Sequence, residues 1–195
     1  TAVDDTATLV TAARDGDPTA WTQLYHRFSG LVWAMARNYL VNAADAQDAC
    51  QSTWYLFAEH LTKLRDPARA GSWLATTAKH EALRVLRTSG RAVPVEDLDL
   101  LGLDPDERSP ELLLLEAEEA GERAERDRLL WETFQELPER CRQLLRVLIA
   151  SPRPTYQEIA DGLGMAVGSI GPNRGRCLKR LGELISQRGV SGILG

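Results

Sequence analysis

The chain is short of cysteine, of histidine and of long apolar stretches, and each shortage removes a class of function. Cys50, Cys141 and Cys177 are odd in number, far apart and never spaced as Cys-x-x-Cys. That supports neither a disulfide frame nor a zinc ribbon, so they are expected to be small buried apolar groups. His26, His60 and His80 share no metal-ligand spacing with one another or with the cysteines. No apolar run approaches the roughly 20 residues that cross a bilayer, so membrane insertion is not expected. Thr1 to Asp5 holds two acids and neither the basic flank nor the apolar core of a secretory signal, and a cytoplasmic protein is the expectation. No carboxylate pair, nucleophile with its base, phosphate-cradling glycine loop or metal cluster is legible, so neither catalysis nor a cofactor is expected.

What is present is an ordinary globular composition, 44% hydrophobic and 26% charged over 195 residues. That length suits one large domain or two small ones of about 100 residues each. The net charge of -5 is unevenly spread: residues 1–60 carry -4, 61–93 carry +5, 94–136 carry -11 and 137–195 carry +5. Two basic blocks on either side of an acidic one are the electrostatic footprint of two polyanion sites, or else two solvated helix faces.

Helical periodicity dominates. Trp21, Leu24, Tyr25 and Phe28 fall at i, i+3, i+4 and i+7, as do Cys50, Thr53, Trp54, Phe57 and Leu61, and no stretch sustains strand alternation. The fold class is therefore all-α. Asp17 before Pro18 and Ser109 before Pro110 are helix starts, with an N-cap oxygen followed by a residue that lacks an N–H. Between Arg91 and Pro110 the period breaks among prolines and aspartates. The chain divides into a helical domain over residues 1–92, an acidic linker over 93–127, part of it helical, and a second helical domain over 128–195. The helix leading the second domain begins somewhere between Pro110 and Leu130.

In the second domain Thr155 and Glu158 form a capping-box pattern, and Gly164 offers the left-handed residue that ends the helix. A basic helical segment follows. If Ser169 is its N-cap, Pro172 sits at the third helical position, where a missing N–H costs no bond. Two short helices around a glycine-containing turn, the second basic, read as a helix-turn-helix, or as a plain α-hairpin. On a helical wheel Cys177, Leu178, Leu181, Leu184 and Ile185 share one side. Ser169, Pro172, Asn173, Arg176, Lys179 and Arg180 lie opposite or at its edge, where bases and phosphates would be met. Arg174 points toward the apolar side and is expected to pair with Glu158 or Asp161.

In the first domain Arg69 stands in a loop before a long helix that runs to about Arg87. Leu74, Ala78, Ala82 and Val85 form its buried side, while Trp73, Thr76, His80, Arg84 and Arg87 recur on the other. An aromatic ring within a basic stripe suits an unpaired strand, with a base on the ring and cations on phosphates; the plainer reading is that Trp73 is core. Upstream, Asp45 and Asp48 complement a helix N-terminus, and Gln51, Ser52 and Tyr55 beside them offer a docking surface for a partner protein.

Several stretches together resemble one family. They are Ala13 to Phe28, then Asp45, Asp48 and Gln51, then Arg65 and Pro67 with Trp73 and Leu74, then Leu137 to Arg140, Tyr156 to Ala160 and Val167 to Ile170. In that order and spacing they resemble the bacterial extracytoplasmic-function (group IV) RNA polymerase sigma factors of the sigma-70 family. The resemblance implies a sigma-two helical bundle that binds the β′ clamp helices of core RNA polymerase and captures the unpaired minus-ten strand of promoter DNA. It implies a sigma-four helix-turn-helix that binds the β flap and reads the minus-thirty-five element, and a linker threading into the core enzyme near the RNA path.

Carried over, Asp45, Asp48 and Gln51, with Ser52 and Tyr55 beside them, match the clamp-binding helix. Trp73 and its helix match the minus-ten region, and Ser169 to Arg176 match the recognition helix. Gln47 and Ser52 replace frequent acids, Lys79 and His80 a frequent Arg-Asn, Arg84 a common Asp, and Gly171 to Asn173 a commoner Lys-Ser-Arg, so no promoter sequence carries over. An anti-sigma protein and nucleoid association within the holoenzyme are further implications of the family. The alternatives are a free-standing helix-turn-helix regulator that binds duplex operators as a dimer, and a protein-interaction module.

Overall fold

The computed structural model describes residues 2–89 and 110–188; of residues 2–4, 110–120, 122 and 123 only the backbone is described. The helices are α1 (Ala2–Arg14), α2 (Pro18–Arg37), α3 (Ala43–His60), α4 (Ala70–Ser89), α5 (Pro110–Gln135), α6 (Glu139–Leu148), α7 (Tyr156–Leu163) and α8 (Ile170–Gln187). Among the described residues every regular element is helical, as the periodicity requires.

Local chemistry sets the helix starts. The Asp17 carboxylate accepts from the Thr19 N–H at 2.8 Å, with Pro18 in the first turn of α2. Asn42 does the same for α3, accepting from the N–H groups of Ala44 and Asp45 at 2.8 and 3.2 Å. At α7 both bonds of the capping box are made. The Glu158 N–H donates to the Thr155 hydroxyl at 3.3 Å, and the Thr155 N–H donates to the Glu158 carboxylate at 2.8 Å. Gly164 ends α7 at φ +65°, where a side chain would be strained. Removing an N-cap oxygen costs about 1 kcal/mol, so Thr155→Ala should lower the midpoint of thermal unfolding by a few degrees. A circular-dichroism melt that superimposes on the wild type would contradict that assignment.

Helices α1 to α4 bury Val10, Leu24, Phe28, Leu31, Val32, Met35, Phe57, Leu74 and Ala78, and the C-terminal helices bury Leu144, Val147, Ile159, Ile170 and Leu184. These sets belong to one continuous cluster. The two halves foreseen from the sequence therefore share a packed seam.

The seam is built from small residues and one half-buried cation. Gly30 of α2 lies against the backbone of Ser151, and a methyl on Gly30 would run into the Ser151 carbonyl oxygen. Gly162 of α7 lies where a Cβ would come within 3.0 Å of the Ala75 methyl on α4 and 3.2 Å of the Met35 side chain. Arg146 of α6 donates at 3.0 Å to the Arg37 carbonyl and at 3.0 Å to Asn38 Oδ1. Its guanidinium lies over the rings of Trp131 and Phe134, at 5.9 and 5.7 Å from their centroids. Burial, with the charges of Arg37 and Arg142 nearby, brings Arg146 down to about 10, so it stays cationic at neutral pH.

Part of the acidic segment falls outside the described residues. From Pro110 onward it is helical, at the early limit of the expected range, and residues 110–127 belong to α5. Near its end α5 meets the C-terminus of α8, where Arg188 pairs with Glu132 at 3.2 Å and with Glu136. The acids there neutralise a cation of the second half as well as supplying charge.

Two expectations from the sequence need correction here. Cys141 and Cys177 are joined by a disulfide, so those two cysteines are a covalent pair, while Cys50 is free. Leu178 is 45% exposed. The stripe that α8 buries is narrow, running through Ile170, Cys177, Leu184 and Ile185, and Leu178 sits one residue round from it.

Candidate nucleic-acid interface

The helix-turn-helix consists of α7, a turn through Gly164 and a short 3-10 segment over Val167–Ser169, and α8. Ser169 occupies the N-cap of α8 and Pro172 the third helical position, as the sequence suggested. The Ser169 side chain does not cap, however. Already in helical φ/ψ at the end of the 3-10 turn, it donates its hydroxyl to the Ala166 carbonyl at 2.7 Å.

Pro172, Arg176, Lys179 and Arg180 are exposed, and Ser169 and Asn173 are half-buried. The Asn173 amide donates to the Ser169 carbonyl at 2.8 Å, and Arg176 donates to Asn173 Oδ1 at 2.8 Å. This chain of bonds fixes the Asn173 amide and holds the Arg176 fork over the start of the helix. Arg180 is more loosely tied, to Glu183 at 3.5 Å.

Arg174 pairs with neither of its expected partners. Glu158 is occupied by the capping box, and Asp161 accepts from Arg69 of the other half at 2.7 Å and from Gln157 at 2.9 Å. Burial raises the Asp161 carboxyl, but hydrogen bonds from Ser72, Arg69 and Gln157 and the Arg69 charge outweigh it and hold the group below the usual carboxylate range. The pairing of Arg69 with α7, across the seam, was not legible in the sequence.

On α4, Leu74, Ala78 and Ala82 are buried and Val85 is half-buried. Trp73 is neither plain core nor free surface. Its ring stacks on His60 at 5.5 Å and tilts against Phe57 at 5.7 Å, yet the residue keeps part of its surface in solvent. Trp21 and Trp54 extend this aromatic group, and Tyr25, 46% exposed, closes on Trp54 at 4.9 Å. Thr76 bonds back to the Ser72 carbonyl at 3.0 Å, while His80, Arg84 and Arg87 are exposed.

Asp45, Asp48, Gln51 and Ser52 line a shallow groove between α3 and α4, whose opposite wall is Arg84, Val85, Thr88 and Ser89. Tyr55 stands beside it, 64% exposed. Arg84 donates to Glu81 at 2.8 Å and to the Ser52 hydroxyl at 3.3 Å. The proposed protein-docking residues and the basic stripe thus share one rim, which their separation in sequence concealed.

The described residues thus pack a helix-turn-helix with an exposed cationic face against a helical bundle with an aromatic and cationic face of its own. Residues 24–92 match the family model Sigma-70 region 2. A solved structure described as "Structure of CnrH in complex with the cytosolic domain of CnrY" shares the fold with a TM-score of 0.58, at 20% identity over 94% of this chain and 98% of that one. Comparison with curated proteins gives no match. No helix among the described residues is long and apolar enough to cross a membrane.

Proposed function

We propose that the chain is a sigma factor of the extracytoplasmic-function type, which binds core RNA polymerase and directs it to promoters with minus-ten and minus-thirty-five elements. The observation that carries this reading is the region 2 match over residues 24–92, in a chain whose other half is a helix-turn-helix. In this reading Asp45, Asp48, Gln51, Ser52 and Tyr55 dock on the polymerase clamp. Arg69, Trp73, Thr76, His80, Arg84 and Arg87 hold the unpaired minus-ten strand. Ser169, Pro172, Asn173, Arg176, Lys179 and Arg180 meet the minus-thirty-five duplex. A protein partner that covers these faces, an anti-sigma protein, is supported by the fold neighbour CnrH, which was solved in complex with the cytosolic domain of CnrY.

The packed state belongs to the free factor. A compact chain of this length has a radius of gyration of about 16 Å. Elements centred ten and thirty-five base pairs upstream lie about 85 Å apart along B-form DNA, at about 3.4 Å per base pair. One packed body cannot touch both, so the seam opens when the factor engages polymerase and promoter, which also frees Arg69 from Asp161.

The test is a run-off assay with reconstituted holoenzyme. Arg176→Ala removes a fork suited to a guanine edge, a contact worth about 1–3 kcal/mol. Transcription from a promoter with both elements should fall roughly tenfold or more, while binding to core polymerase is unchanged. Wild-type transcript from the variant would exclude Arg176 from the reading surface. A specific shift of duplex DNA by the chain alone, with no transcript when core is added, would replace this reading with a free-standing regulator.

A further inference from the structure

Resting on the reading of the C-terminal half as a promoter-binding helix-turn-helix, we infer that Cys141 and Cys177 form a reversible thiol–disulfide site that locks this motif covalently. Three features of the fold meet there. Cys141 is on α6 and Cys177 on α8, with Cα atoms 5.3 Å apart, within the span a disulfide bridges without backbone movement. The 36-residue separation between them contains all of α7, the turn and the start of α8. The closed loop thus holds Ser169, Pro172, Asn173 and Arg176. Finally, Cys177 faces inward at 4% exposure while Arg176 beside it faces solvent, so the bridge tethers the recognition helix from behind and leaves its reading face clear.

The two cysteines differ in exposure. Cys141 is half-buried in the first turn of α6, its N–H bonded to the Pro138 carbonyl at 2.8 Å, with Arg140 and Arg142 on either side. Its partial exposure makes Cys141 the sulfur that a small disulfide reaches first. Cys177 is shielded and serves as the resolving thiol. Starting from two thiols, the Cys141 thiolate attacks one sulfur of a low-molecular-weight disulfide, forming a mixed disulfide and releasing one small thiolate. The Cys177 thiolate then attacks the Cys141 sulfur, forming the internal bridge and releasing the second. Two protein thiols are oxidised by two electrons and give up two protons, and the small disulfide is reduced to two small thiols.

A protein that works on RNA polymerase operates where thiols are kept reduced, and disulfides found there in mesophiles are mostly transient or redox-sensing. The bridge therefore reports oxidising conditions. Closing a loop of this length restricts the unfolded chain strongly, so the bridged state is more stable and presents α8 preorganised for DNA.

The experiment uses the full chain, treated with oxidised glutathione or with dithiothreitol, each followed by removal of the reagent. Thiols are counted by alkylation after unfolding, amide hydrogen exchange is followed over residues 156–188, and run-off transcription is measured with core polymerase. One thiol should be counted after oxidation and three after reduction. Exchange over α7 and α8 should be at least tenfold slower in the oxidised form, and its transcription several-fold higher. Cys141→Ser and Cys177→Ser should abolish the response, and Cys50→Ser should leave it intact. Three thiols after oxidation, or equal exchange in both forms, would overturn the inference, as would equal transcription from two forms that are both active. If the thiol count and exchange respond while neither form supports transcription, the covalent lock stands and the sigma-factor reading fails.

Discussion

Gly30→Ala is expected to separate the two halves of the free chain while leaving both folded. Within α2 the exchange is favourable, since alanine is preferred over glycine in a helix interior by about 0.5–1 kcal/mol. Any loss must therefore come from the seam, where the new methyl meets the carbonyl oxygen of Ser151. A backbone atom cannot rotate away as a side chain would, and the contact is relieved only by moving the segment between α6 and α7 off α2. The partners held there, Arg146 with Asn38 and Arg69 with Asp161, lie on the same seam and should be lost with it. Small-angle scattering should show a radius of gyration clearly above the roughly 16 Å of a compact chain, with helix content unchanged. On the proposal that the seam opens in the holoenzyme, transcription should be equal to wild type or higher. A variant as compact as the wild type would show that the seam yields locally and does not set the arrangement of the halves.

Trp73→Ala should carry the largest functional loss. The ring lies between His60 and Phe57 and still reaches solvent, so its removal takes away a packing partner and a stacking platform together. Stacking of one base on an aromatic ring is worth about 1–3 kcal/mol, or roughly 5- to 150-fold in affinity for the opened strand. Run-off from a linear duplex promoter should fall by at least tenfold, and a template already unpaired across the minus-ten element should restore most of it. Trp73→Phe, which keeps the packing and part of the platform, should lie between. An equal loss on duplex and pre-melted templates would make Trp73 a packing residue only.

How much was legible follows from the range of each interaction. The starts of α2 and α7 are written in residues two or three positions apart, Asp17 with Thr19 and Thr155 with Glu158, and sequence spacing reports them directly. The exposed cations of α8 and α4 follow from helical period. The seam has no such signature. Gly30 and Ser151, or Arg69 and Asp161, meet only because two separate helical units dock, and a glycine inside a helix gives no hint of what lies against it. The disulfide was hidden for the same reason, since Cys141 and Cys177 lie on different helices and no spacing rule joins them. Arg174 was misplaced because both of its candidate partners were already engaged, one by its own helix start and one across the seam.

Incubating the purified chain with core RNA polymerase and resolving the mixture by gel filtration is the most direct test of the proposed role. Stoichiometric co-elution is expected, weakened by a charge reversal at Asp48 on the groove between α3 and α4. A chain that elutes apart from core at micromolar concentration, under conditions where another sigma factor binds it, would contradict that role whatever its affinity for DNA.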